Sequence, residues 1–166
     1  MPAAALIDFA ELDLDHVHCS REDLRDINPH RFDMEQIDYI AHYWDEPLSA
    51  IAIRDVTEDE FWVNGHFPNN PLFPGILMVE AAAQAASYCF QTKLGKFEDK
   101  IFGFGGLEKI RFRAGVKPGD RVIILVSAVA ARMRRAVFNM QCWVDGRLVC
   151  DGQVIGVTLK VPQASE

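Results

Sequence analysis

His66 and Glu80 stand fourteen residues apart in the stretch running from Gly65 to Phe90. An imidazole ordinarily titrates near neutral pH and can take up a proton, and a carboxyl group kept from water is pushed toward its protonated form and can give one. The backbone N–H groups that open the next predicted helix, near Gly75 and Ile76, have no partner within it and can hold a developing oxyanion. A base, an acid and an anion site thus lie within one short span. Taken alone, a lone loop histidine and a core glutamate satisfied by Gln84 remain the plainer alternative.

The local elements must position these groups. His66 to Gly75 contains three prolines and two asparagines, which excludes a helix or a central strand and predicts a stiff loop. From Ile76 to Phe90 there is no Gly, Pro or basic residue, and Ala, Leu and Met favour helix. That helix is apolar nearly all round, so it is predicted to be buried on most sides. Its one charged side chain, Glu80, shares a face with Gln84 and Tyr88. Burial is expected to raise the Glu80 pKa and keep it protonated.

Upstream, residues 1–19 are acidic and without periodicity, and are predicted to form a weakly ordered extension before a domain spanning 20–166. Ser20 to Asp23 has the form of a capping box for a short helix reaching Ile27, which Asn28-Pro29 ends. His30 is read as structural. Ile37 to Trp44 and Leu48 to Val56 predict two strands joined through Asp45-Glu46-Pro47, with Ile51 and Ile53 on one face and Leu48 out of step. After a polar connection, four further strands are predicted: Ile101 to Arg113, Arg121 to Ala131, Arg135 to Val144 and Arg147 to Leu159. Val116 to Asp120 and Asp145-Gly146 supply turns. The pattern predicts an α+β fold in which an antiparallel sheet of about six strands curves around one long helix.

Composition narrows the function classes. The 166 residues carry a net charge of −7, which with the lack of a recognition motif argues against nucleic acid. The charge is uneven: residues 1–92 hold 17 acidic and 4 basic side chains, and residues 93–147 hold 12 basic and 5 acidic ones. No apolar run approaches a bilayer span and no secretory signal is visible, so membrane insertion is not expected. Cys19, Cys89, Cys142 and Cys150 show no C-x-x-C spacing, which fits a reducing cytoplasm. No metal-ligand pattern is present.

His66-Phe67-Pro68, Pro71, Pro74-Gly75, Leu77, Glu80-Ala81 and Gln84 resemble the signature of the FabZ-type 3-hydroxyacyl-acyl-carrier-protein dehydratases, and Pro29-His30-Arg31-Phe32 resembles their entry motif. The resemblance implies the hot-dog fold and removal of water from 3-hydroxyacyl thioesters, without metal or other cofactor. It implies His66 as base, Glu80 as acid, Gly75 and Ile76 N–H groups at the thioester oxygen, and Gln84 as an orienting group. Phe67, Leu72, Phe73, Leu77, Phe102 and Phe104 are candidate acyl-tunnel residues, and Gly105 and Gly106 would let a pantetheine arm lie on the backbone. Lys109, Arg111, Arg113 and Lys117 are expected to meet acidic acyl carrier protein. The family pairs His and Glu across a homodimer, with trimers of such dimers a common further assembly. Three departures stand out: the extension, Asn28 before Pro-His-Arg, and Ser87 at a usual glycine. Competing readings are the FabA type, which also isomerises but resembles this motif with Asp at Glu80, a hot-dog thioesterase, and a non-catalytic acyl-binding subunit.

Overall fold

The computed structural model describes residues 4–95 and 100–160. Seven strands form one antiparallel sheet: β1 (Cys19–Ser20), β2 (Tyr39–Asp45), β3 (Leu48–Asp55), β4 (Lys100–Phe112), β5 (Arg121–Arg132), β6 (Arg135–Val144) and β7 (Arg147–Lys160). Their order is β1-β2-β3-β5-β6-β7-β4. The six expected strands are joined by the two-residue β1, too short to show in an alternation pattern. Two helices accompany them, α1 (Arg21–Leu24) and α2 (Gly75–Leu94), with a 3-10 turn at Phe32–Met34.

Short-range chemistry accounts for the connections. Ser20 caps α1: its hydroxyl accepts the Asp23 N–H, and the Asp23 carboxylate accepts the Ser20 N–H. Between β6 and β7, Asp145 and Gly146 have φ of 48° and 72°, the two positive values a two-residue hairpin turn demands. α2 runs one turn past Phe90 because Gln91 to Leu94 remain good helix formers. It stops at Gly95, whose φ of 93° suits only glycine well.

The sheet wraps α2, which is buried along most of its length, and Phe90 and Phe138 are the largest fully buried side chains. Phe90 stacks on Phe102 of β4 with ring centroids 4.3 Å apart, a burial that stabilises by about 2–3 kcal/mol. β3 resolves the imperfect alternation of its sequence. Leu48, Ala50 and Ala52 face α2, while Ile51 and Ile53 join Ala41, Ile123, Leu125 and Trp143 on the opposite face. Both faces are buried, so no polar side is left to mark the period.

What covers that second face is the N-terminal stretch. Leu6, Ile7, Phe9, Leu12 and Leu14 pack on it. Gln141 fastens the stretch at both sides, accepting the Leu6 N–H at 2.8 Å and donating to the Ala4 carbonyl at 3.0 Å. Tyr39 donates to the Leu14 carbonyl and His42 to that of Asp13. The acidic, aperiodic composition gave no hint of this, since an extended strap contacts the sheet through irregularly spaced positions.

Candidate active site

The loop from Thr57 to Pro74 is built around one carboxylate. Glu60 accepts hydrogen bonds from the Thr57 N–H at 3.0 Å, Arg54 Nη2 at 2.5 Å and Trp62 Nε1 at 2.8 Å. Arg54 is itself buried and lies over the Phe73 ring, which packs against Trp62. A charge in that position is tolerable because it is paired and shared. The network fixes Trp62, whose carbonyl accepts the His66 N–H at 2.8 Å, and His66 O in turn accepts the Leu72 N–H at 2.7 Å. His66 Nδ1 lies 2.7 Å from the Leu72 carbonyl oxygen. A carbonyl only accepts, so Nδ1 carries the proton and Nε2 presents a lone pair. The sequence-predicted base therefore has its tautomer set by the loop.

Glu80 and Gln84 share one face of α2, as their spacing predicts, and they touch: Gln84 Nε2 donates to Glu80 Oε1 at 2.8 Å. Gln84 Nε2 also donates to the Met34 carbonyl at 2.7 Å, and its Oε1 accepts the Gln36 N–H at 2.9 Å. The orientation of this amide is thereby fixed. The imidazole that reaches Glu80 within the chain is not His66 but His30, with Nε2 3.2 Å from Glu80 Oε1. The expectation that burial leaves Glu80 protonated is corrected by these donors. Burial does push the carboxyl pKa up, yet the hydrogen bonds from His30 and Gln84, with the field of the His30 ring, hold it below the ordinary glutamate value.

Glu80 opens on a cavity of about 70 Å³. Gln84 and Ser87 of α2, His30, and Phe102 and Phe104 of β4 line it, and Phe138 and Gly156 close the far side. Of the candidate tunnel residues, Phe102 and Phe104 are in this wall. Phe67 is instead half exposed and stacked on His66, and Phe73 is in the core beside Trp62. The glycines of this region answer to their own sheet: a Cβ on Gly105 would lie 2.6 Å from Val157, and one on Gly156 would lie 1.8 Å from Phe102. Ser87 faces the cavity and accepts a hydrogen bond from Gln91.

At the start of α2 the cap residue, Pro74, makes no side-chain hydrogen bond, and no acid stands in the first turn. Nothing on the helix's own first turn therefore competes for the Gly75 and Ile76 N–H groups. The missing side chain of Gly75 makes room for the Phe112 ring, which a Cβ would approach to 2.7 Å. Among the basic candidates, Arg113 is engaged in a paired hydrogen bond with Asp151, at 2.5 and 3.1 Å. Lys109, Arg111 and Lys117 are exposed. Lys109 and Arg111 border an open hollow on the outer face of the sheet. Among the described residues, no group of three or more His, Cys, Asp or Glu side chains is arranged to hold a metal ion.

Residues 28–153, which include His30, His66, Glu80 and Gln84, match the family described as the FabA-like domain. The chain belongs to the FabA-like family. Among its FabA-like relatives, a 3-hydroxyacyl-[acyl-carrier-protein] dehydratase FabZ of Clostridium botulinum is 33% identical over 81% of this chain and 92% of that protein. The FabZ of Caldanaerobacter subterraneus is 40% identical over 68% of this chain and 78% of its own length. The bifunctional enzyme LpxC/FabZ of Chlorobaculum tepidum is 35% identical over 82% of this chain, which spans only 29% of that longer protein. Among solved structures, the dehydratase heterocomplex ApeI:P from Xenorhabdus doucetiae superposes with a TM-score of 0.68 at 13% identity, covering 82% of this chain and 91% of that one. A mutant thioesterase from Pseudomonas aeruginosa does so at 0.64 and 16%, over 90% and 100%. At such identities these structures speak for the hot-dog fold alone.

In this FabA-like chain His30, read from the sequence as structural, stands against Glu80. It lies fifty positions from Glu80, beyond any helical or strand period. The signal available was the Pro29-His30-Arg31 run, whose arginine clamps the loop: Arg31 donates to the Asn28, His30 and Arg25 carbonyls.

Proposed function

We propose that this FabA-like chain is a hydro-lyase that removes water from 3-hydroxyacyl thioesters carried on acyl carrier protein, giving trans-2-enoyl thioesters in fatty-acid biosynthesis. The single observation carrying the reading furthest is the setting of Glu80, a carboxyl held through one oxygen at the mouth of an apolar cavity. It stands in a chain that shares most of its length with named FabZ dehydratases.

His66 Nε2 takes the proton from the α-carbon, and the electron pair of that C–H bond becomes the Cα=Cβ double bond. The Cβ–O bond breaks, and the hydroxyl departs as water with a proton from Glu80. The Gly75 and Ile76 N–H groups stabilise charge on the thioester oxygen, aided by the positive end of α2. Glu80 rests as a carboxylate above its lowered pKa. It therefore takes from solvent the proton it delivers in each turnover, and His66 returns the abstracted proton to solvent afterwards, which closes the proton balance. An acyl chain filling the cavity expels water and shifts Glu80 toward the acid, by the same burial that already pushes upward. The chemistry calls for no metal or redox cofactor.

His66 of one chain serves Glu80 of a second copy. Two features support this: His66 is absent from the cavity that Glu80 lines, and apolar side chains are exposed near the start of α2 and along the edge strand β4. These are Ile76, Phe104, Leu107 and Phe112. Contact with acyl carrier protein falls to the exposed cations Lys109, Arg111 and Lys117, with Arg113 already paired. The test is product analysis of purified protein with carrier-bound 3-hydroxyacyl substrates of graded length. Trans-2-enoyl product is expected; release of free thiol, or binding without turnover, would overturn the assignment.

A further inference from the structure

Glu80 presents its two oxygens unequally. Oε1 receives Gln84 Nε2 at 2.8 Å and faces His30 Nε2 at 3.2 Å. The Gln84 donor is certain, since that amide's oxygen is taken up by the Gln36 N–H. The Glu80 carboxylate can only accept, so the His30 nitrogen that faces Oε1 must carry a hydrogen. Nε2 therefore carries the hydrogen and donates to Oε1. An oxygen accepting two N–H donors has no room for a proton of its own, so any proton on the carboxyl sits on Oε2.

We propose that His30 is a positioning residue for the dehydration, holding Glu80 Oε1 so that Oε2 is the oxygen that hands its proton to the departing hydroxyl. The proposal rests on the dehydratase reading above. His30 is itself rigidly placed. Arg31 Nη1 binds the His30 carbonyl at 2.6 Å and that of Asn28 at 2.9 Å, and Asn28 Nδ2 ties the loop to the Gln84 carbonyl at 3.0 Å. The cavity walls contributed by β4, β6 and β7 carry no titratable side chain, so His30 is the titratable group facing Glu80 there. The arrangement trades acidity for geometry. It favours the carboxylate, yet it fixes which oxygen works and removes the rotation of the carboxyl group from the reaction coordinate.

The test compares full-length His30→Ala and His30→Gln proteins with the wild type, since a glutamine amide reaches the position of imidazole Nε2 and keeps the donor. Two readouts are taken: the titration midpoint of the Glu80 carboxyl by carbon-13 NMR, assigned by its loss in Glu80→Gln, and the kcat and KM of enoyl formation. His30→Ala is expected to raise the Glu80 midpoint and lower kcat on the order of tenfold to a hundredfold, with KM within about threefold of wild type. His30→Gln is expected to recover most of both. An unchanged midpoint and kcat in His30→Ala would overturn the proposal. So would loss of activity as complete as in His66→Ala with no recovery by glutamine, which would make His30 a reacting group. Thermal melts check that both variants fold, and if the alanine variant does not, the midpoint and kcat of His30→Gln decide. A wild type without dehydratase activity would sink the function reading alone, because the NMR titration tests the His30 contact without turnover.

Discussion

Replacing Gln84 with leucine tests how the carboxylate is held. Leucine fills a similar volume but removes three hydrogen bonds: from the Gln36 N–H, to the Met34 carbonyl and to Glu80 Oε1. Gln84 is only 3% exposed, so little water is at hand to replace them. Leaving the buried Gln36 N–H unpaired costs about 1–3 kcal/mol, and the part-buried carbonyl of the exposed Met34 loses only the ordinary net worth of a hydrogen bond, about 0.5–1.5 kcal/mol. Apolar burial of the leucine offsets about 1–2 kcal/mol of that. The net loss worked from these contacts is about 1.5 kcal/mol, or roughly 3–6 °C in melting temperature for a chain of this size. The assay is urea unfolding at fixed protein concentration, where the midpoint should fall with the slope unchanged. Gln84→Glu adds a check on sign. It places a second carboxylate beside Glu80, raising the pKa of the pair, so its destabilisation should be greatest at neutral pH and shrink as pH falls and one of them takes a proton. A Gln84→Leu midpoint within about 0.5 kcal/mol of wild type would refute the reasoning.

Three further outcomes are expected. Gly156→Ala would put a Cβ 1.8 Å from a Phe102 ring that is already stacked on Phe90, so unfolding should be easier by about 1–3 kcal/mol, and turnover of long acyl substrates should fall before that of short ones; unaltered stability and chain-length preference would count against the packing described. Glu80 has a lowered pKa in the folded chain, so its contribution to stability is present above its unfolded pKa and lost as pH falls through the folded one. Urea midpoints measured from neutral pH to well below 4.5 should therefore drop less for Glu80→Gln than for wild type, and equal slopes would contradict the assignment. Deleting residues 1–14 uncovers Ile51, Ile53, Ile123, Leu125 and Trp143, which should red-shift Trp143 emission and promote association; a monodisperse protein with unshifted emission would show that the strap is dispensable.

Much of this molecule was legible in its residues because the relevant signals are local. Asp145-Gly146 specifies its hairpin, Ser20 with Asp23 its cap, and the apolar run after Pro74-Gly75 its buried helix. The Glu80–Gln84 contact follows from a spacing of four. What could not be read depends on distant parts of the chain meeting. Leu48 looks out of step only until the strap is seen to bury Ile51 and Ile53 on the far face of β3. His30 meets Glu80 through a loop whose course is set by Arg31 and Gln84, and no periodicity spans that separation. The direction of the Glu80 pKa failed for the same reason. Burial can be inferred from composition, but the donors that outweigh it come from elsewhere in the fold.

In the proposed reaction His66 removes the α-proton while Glu80 protonates the leaving hydroxyl, each drawn from a different chain. It is tested most directly by measuring enoyl formation by His66→Ala, by Glu80→Gln, and by the two variants unfolded and refolded together. Each variant alone should be inactive. The mixture should recover activity through hybrid dimers that contain one intact pair. Turnover near the wild-type level by either variant alone, or hybrid dimers as inactive as their parents, would contradict the account.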